Sequence, residues 1–222
     1  RGVMNVAHNL HDVRELKRRW HANRLNDIDC EWLNTQQVKE FCPVINTSPN
    51  IRYPVLGATL QRRAGTARHD AVAWGYARGA DAMGVDIIQN CEVTNIIIEN
   101  GQVKGIETSK GQIKSNKIGV VAAGHSSVIA NMANIRLPLE SRPLQALVSE
   151  PVKPIIDTVV MSNTIHAYVS QSDKGELVIG AGTDGYTSYS QRGGFNIVED
   201  TIMAIVELFP LFSRMKMLRH WG

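Results

Sequence analysis

The sequence has no stretch near 18 consecutive apolar residues, so no membrane-spanning helix is expected; its longest apolar fragments are 96–98 and 118–123. Cysteine is scarce. Cys30, Cys42 and Cys91 are three in number and stand at no metal-ligand spacing, which argues against a disulfide framework or a zinc site and favours a reducing compartment. Charge of one sign is also missing: 24 Lys and Arg against 21 Asp and Glu leave +3, too little to imply a nucleic-acid partner. No signal peptide, metal motif or Ser-His-Asp set can be read. With 43% hydrophobic and 20% charged residues, 18 Gly and 8 Pro, the 222 residues have ordinary globular composition, which excludes disorder, collagen and coiled coil and allows one sizeable core or two lobes. The chain opens on Arg1-Gly2-Val3 without Met and stops at Trp221-Gly222 on what reads as the start of a strand, so it is expected to be a piece of something longer.

Periodicity predicts a strand at 3–7 and a helix at 10–25, whose run Arg14, Lys17, Arg18 and Arg24 reads as a solvated face. Asn34 or Thr35 caps a short helix ended by Pro43, and a loop rich in Pro, Asn and Ser leads to a strand at 55–60. An Ala-rich helix is predicted over 68–83, stopped by Gly84, with His69 at or just inside its N-terminus. Short strands follow at 85–89, 91–98, 103–108 and 112–115. Residues 117–123 read as a strand buried on both faces, ending at Gly124 before a helix over 126–133. This order of helix, strand, meander, buried strand and glycine recurs in nucleotide-binding α/β enzymes. Longer β segments are predicted at 144–151, 158–162, 165–171 and 177–182, then a helix at 198–209 ended by Pro210.

Several patterns carry chemistry and a plainer alternative. Gly180-Ala181-Gly182-Thr183-Asp184-Gly185 has the G-x-G-x-x-G spacing, but no helical period follows it, so a strand end and glycine-rich loop is preferred to a dinucleotide site. Arg62, Arg63, Arg68 and His69 suit either a phosphate or a solvated loop. His69, beside Arg68 and near a helix N-terminus, sits in positive potential that favours a neutral imidazole, so a capping role and a covalent role are both open. Thr164, His166, Tyr168 and Ser170 alternate with Ile165, Ala167 and Val169, giving a polar strand face that suits a ligand wall or solvent. His8, His11, His21 and His125 have no companions at ligand spacing.

The string from Gln61-Arg62-Arg63-Ala64-Gly65-Thr66-Ala67-Arg68-His69-Asp70 to Trp74, its continuation from Gly84 to Val93, Arg1-Gly2-Val3, Pro143 to Glu150, Tyr168 to Gln171, Lys174 to Val178 and Glu207 to Pro210 resemble the β subunits of heterotetrameric sarcosine oxidases along the whole chain. More broadly, the meander with Val120-Val121-Ala122-Ala123-Gly124 is similar to FAD-dependent oxidoreductases of the D-amino-acid oxidase and glycine oxidase type. The resemblance implies an α/β (α+β) fold: an incomplete FAD-binding Rossmann-like domain plus an antiparallel-sheet substrate domain of the D-amino-acid oxidase type. It divides the chain into 1–54, part of the substrate domain; 55–135, part of the FAD-binding domain with the β-meander; and 136–222, the antiparallel-sheet substrate domain.

It also implies noncovalent FAD, with backbone hydrogen bonds from Val93 to the adenine and Gly124 at a turn beside FAD, and FMN bound covalently to His69. His166 then faces the substrate carboxylate, and Tyr168 joins it from the same strand face. The implied reaction is oxidative demethylation of sarcosine to glycine, electrons passing from FAD to FMN and then to oxygen, in a cytoplasmic complex with α, γ and δ subunits that hands a one-carbon unit to tetrahydrofolate. Alternatives are a dimethylglycine-type substrate or a non-catalytic docking scaffold. The strand, G-x-G-x-x-G turn and helix that hold the FAD pyrophosphate in the family are absent, as is its carboxy-terminal segment. The isolated chain is therefore expected to be inactive, without either flavin and prone to self-association through bared surfaces, with no nucleic-acid or membrane partner.

Overall fold

The computed structural model describes residues 2–222; Arg1, part of the opening motif, lies outside them. The chain forms two compact units. Among the described residues the larger comprises 2–66, 143–186 and 190–222, and the smaller comprises 67–142 with 187–189. The segments 55–66 and 136–142 thus fall on the other side of the boundaries expected from sequence.

The larger unit is built on an eight-stranded sheet. In chain order its elements are β1 (Val3–Ala7), α1 (Leu10–Leu25), β2 (Glu31–Leu33), α2 (Thr35–Phe41) and β3 (Gly57–Gln61). After the excursion into the smaller unit come β7 (Leu144–Pro151), β8 (Val159–Ser162), β9 (Ala167–Gln171), β10 (Glu176–Thr183), α5 (Phe195–Leu208) and β11 (Met217–Trp221). The strand order is β11-β7-β10-β9-β8-β1-β3-β2. Neighbours are antiparallel except β1 and β8, where Val3 faces Val159 and Asn5 faces Met161 in parallel register. The expected antiparallel sheet is therefore mixed: β1 and β8 are far apart in sequence and need no hairpin between them, so either direction is open to the pair. β3 pairs with both β1 and β2, which fixes 57–61 in this sheet rather than with the meander.

Local sequence explains the helices. Asn9 caps α1 by accepting from the Asp12 amide at 2.9 Å, and Asn34 and Gln37 form a reciprocal capping box on α2. In α5 the residues Val198, Thr201, Ala204, Ile205 and Leu208 recur at three- and four-residue spacing and are buried. Of these, Ile205 and Leu208 join one sheet face in a core containing Met4, Leu60, Val160, Val169, Leu177, Phe209 and Phe212. Each fully buried large apolar side chain contributes about 1.5–3 kcal/mol, so this face holds most of the unit's stability.

The smaller unit contains α3 (His69–Ala82), the meander β4 (Val93–Glu99), β5 (Gln102–Thr108) and β6 (Gly111–Lys114), and a 3-10 turn at Ala123–His125 running into α4 (Ser126–Asn131). β4, β5 and β6 pair antiparallel in sequence order. No residue of α3 is buried. The two strands predicted at 85–89 and 117–123 join no sheet: 85–89 is exposed throughout, and 117–123 is largely exposed, with Val121 at 97%, and ends in the 3-10 turn at Ala123. A strand of this apolar type forms only beside a partner strand, and none is available among the described residues.

Candidate functional site

The hairpin of β8 and β9 carries both residues read as catalytic. β9 begins at Ala167, so Thr164 and His166 belong to the connecting turn at 163–166 and not to a strand. His166 takes a left-handed φ of 53°, a conformation that ends the turn. Tyr168 lies on β9, opposite Met161 and Gly180. Ala167 and Val169 point into the core beside Ile205 and Leu208, so Tyr168 points to the other face. Its ring lies over Gly180, where a Cβ would fall inside the ring, and it remains 38% exposed. Ser170, the fourth member of the expected polar face, is buried. The alternation predicted over 164–170 therefore breaks at the turn: His166 and Tyr168 share one hairpin but not one face.

His166 lines a cavity of about 600 Å³ with Arg52, Tyr53, Thr164, Thr183 and Asp200. The Arg52 amide donates to the Glu207 carboxylate, which ties the 52–54 loop to α5. Behind this wall sits His8, only 5% exposed, at the junction of β1 and α1. Its Nε2 lies 2.9 Å from Ser162 Oγ, and its Nδ1 lies 3.1 Å from the Tyr53 carbonyl and 3.3 Å from that of Pro54. Burial lowers the His8 pKa, and it outweighs the carbonyl contacts and the nearby Asp12 charge, which act to raise it. Asp12 Oδ2 accepts from Thr164 Oγ1 at 2.6 Å, the His8 amide at 2.9 Å and Asn9 Nδ2 at 3.1 Å. Desolvation opposes the Asp12 charge, but these donors together hold its pKa below the ordinary value. Neither Arg52 nor His8 was singled out as functional by sequence, since their partners are distant in the chain.

In the smaller unit, His69 is the first residue of α3. Its Nδ1 lies 2.8 Å from Asp70 Oδ1, with the two side chains 90% and 86% exposed. That contact assigns the Nδ1 hydrogen to Asp70 and leaves Nε2 open to solvent chemistry. Val93 is the first residue of β4, half-buried and paired with Thr108. Gly124 lies in the 3-10 turn; its carbonyl accepts from Ser141 Oγ, and a Cβ there would press to 3.2 Å from that oxygen. His69, Val93 and Gly124 thus stand on three separate elements. Of the suspected basic cluster, Arg62 pairs with Glu31 and Arg63 with Asp29, which leaves neither poised for phosphate.

Other motifs resolve simply. β10 runs through the first part of 180–185, and α5 starts only at Phe195, so the glycine spacing opens no helix. Among the described residues no group of three His, Cys, Asp or Glu could hold a metal, and no helix is long and apolar enough to cross a membrane. The cysteines are free, and burial pushes the Cys42 thiol up to about 11.

The model of the FAD-dependent oxidoreductase (DAO) family matches residues 1–222. The chain belongs to that family. Among curated proteins it is 57% identical over all 222 residues to the sarcosine oxidase subunit beta of an Arthrobacter species and 55% identical to that of Rhodobacter capsulatus, covering 55% and 53% of those proteins. The chain therefore spans about half the length of the curated relatives it matches. Among solved structures, L-proline dehydrogenase from P. horikoshii superposes with a TM-score of 0.87 at 23% identity, over 99% of this chain and 59% of that one. Glycine oxidase from Geobacillus kaustophilus gives 0.84 at 16% identity, over 100% and 57%. The fold is thus the mixed α/β fold of FAD-dependent oxidoreductases. The residues present fit a flavin nucleotide in part: an exposed imidazole at His69, and at Gly124 an exposed glycine whose carbonyl is held by Ser141 Oγ, with the largely exposed segment 117–123 leading into it.

Proposed function

We propose that this sequence is part of the β subunit of a sarcosine oxidase that demethylates sarcosine oxidatively to glycine, in a cytoplasmic complex with α, γ and δ subunits. The observation that carries the reading is 53–57% identity, spread over the whole chain, to three proteins called sarcosine oxidase subunit beta. FAD is held noncovalently, with the Val93 backbone at its adenine and Gly124 at the turn beside it. FMN is attached through His69, whose free Nε2 is the nitrogen available for the bond. When bound, the flavins would supply the acceptor for the hydride of the N-methyl carbon and the outlet to oxygen.

The chain's own residues position the substrate. His166, in a cavity with Arg52, orients the carboxylate; Tyr168, on the opposite face of the sheet over Gly180, lines no part of that cavity and takes no role at the carboxylate. The units labelled by fold then take names: the larger is the substrate domain and the smaller part of the FAD-binding domain. The one-carbon unit leaves for tetrahydrofolate elsewhere in the complex, and the 222-residue chain alone is inactive and free of both flavins.

The test is to purify the intact protein that carries this sequence with its partner subunits and measure sarcosine-dependent peroxide formation. Mass spectrometry of the peptide 61–78 should show one added flavin mononucleotide at His69. Full activity with unmodified peptide would remove the His69 attachment, and no turnover of sarcosine would remove the substrate assignment.

A further inference from the structure

His8 is a buried histidine with every ring nitrogen committed, in a chain where the proposed reaction gives it nothing to do. The Tyr53 and Pro54 carbonyls only accept, so the ring hydrogen sits on Nδ1 and is shared between them. Nε2 is then an acceptor and takes the hydroxyl hydrogen of Ser162. Ser162 Oγ in turn accepts from the Ile165 amide at 3.2 Å. This is a continuous relay from the 52–54 loop through His8 and Ser162 into the turn at 163–166. A second fastening runs beside it, because Asp12 accepts from Thr164 Oγ1 and from the His8 amide.

The two segments joined in this way form one wall of the same cavity: Arg52 and Tyr53 on one side, Thr164 and His166 on the other. Neither is regular structure, and a turn ending on a left-handed histidine has no ladder of its own to hold it. Side chains from the β1–α1 junction therefore set the separation of the cationic Arg52 and the imidazole of His166. We propose that His8, supported by Asp12, is the positioning residue of this wall, fixing Arg52 and His166 at the spacing that receives an amino-acid carboxylate. This inference rests on the reading that His166 orients the substrate. A buried polar pair that loses one partner leaves the other unsatisfied, so the effect should reach the turn.

The experiment uses the intact protein in its complex, with His8→Phe, His8→Gln and Ser162→Ala. Loss of the relay in His8→Phe is expected to raise the KM for sarcosine about fivefold or more while kcat stays within about twofold. Amide exchange of a peptide covering 160–168 should quicken in parallel. His8→Gln, which offers one donor and one acceptor, should recover most of the affinity. Should His8→Phe fail to fold, Ser162→Ala is judged by the same split. An unchanged KM with unchanged exchange in either variant overturns the proposal, as does an equal fall in kcat and kcat/KM that His8→Gln does not relieve. A parent complex that fails to oxidise sarcosine sinks the substrate reading alone, and the exchange comparison still decides whether His8 holds the turn.

Discussion

The two units use the same chain chemistry with opposite results. In the larger, α5 buries five residues and the sheet beneath it has strands with fully buried side chains such as Met4, Leu60 and Leu147. In the smaller, α3 is a regular 14-residue helix with nothing buried, and Trp74, Tyr76 and Met83 stand 57%, 79% and 81% exposed. Helical propensity alone places the residues of α3, whereas tertiary packing holds those of α5. The lesson is that an element can be correct in shape and still lack the surface that would stabilise it.

The sharpest way to break this contrast is to truncate one aromatic in each unit of the 222-residue chain. Phe209 is fully buried and stacks on Phe212 with centroids 4.8 Å apart. Phe209→Ala should lower unfolding stability by about 3–5 kcal/mol, through lost burial and the cavity left behind. Trp74→Ala, at an exposed helical position where Ala is the better helix former, should change it by less than about 0.5 kcal/mol. Denaturant unfolding of both variants checks the pair, and a large cost at Trp74 would show that α3 is packed after all.

The same contrast explains what was legible in sequence. Helices α1, α2 and α3, and the meander, were readable because their signals are local: Asn caps, 3.6-residue periodicity and turns such as Asn100-Gly101. Residues 85–89 and 117–123 misled because their apolar texture reports a demand for burial, and texture cannot say whether a partner strand is present. The parallel pairing of β1 with β8 joins residues more than 150 positions apart and leaves no local mark. At the site, His69 was found at a helix start and Tyr168 on a strand, as their neighbours suggested. His166 was misplaced onto that strand because alternation continues by chance through Thr164 and Ile165, although Asn163 before them has the chemistry of the turn they form. His8 reads as having no companions in sequence because Tyr53 and Ser162 come to it only in the fold.

A smaller effect tests the open face of the larger sheet. Gly180 lets the Tyr168 ring lie flat across β10, and a methyl group there must push the ring away. Gly180→Ala should cost about 1–3 kcal/mol as overpacking. In a Tyr168→Ala background the same substitution should cost under about 0.5 kcal/mol, because the obstructing ring is gone. Additive costs in that double-mutant cycle would mean that the backbone, rather than Tyr168, requires glycine.

The least effect expected is a tilt of stability with pH confined to the larger unit. His8 has its pKa lowered from 6.5 in the folded chain because burial disfavours its charged form. The unfolded chain therefore binds the proton more readily, and the neutral buried ring contributes stability that is fully present above about pH 6.5 and lost as pH falls through the folded value. Asp12 works in the same direction at lower pH: its folded pKa is depressed, so its contribution is present above the ordinary carboxylate range and is lost on acidification. Midpoints of denaturant unfolding taken from pH 8 down to pH 5 should fall for the parent chain and fall less for His8→Gln, which has no proton to take up. Amide exchange locates the tilt: β1 and the β8–β9 hairpin should lose protection as pH drops, after correction for intrinsic exchange rates, while the β4–β5–β6 meander of the smaller unit changes little. Equal loss in both units would place the titrating group elsewhere and remove His8 as the source of the difference.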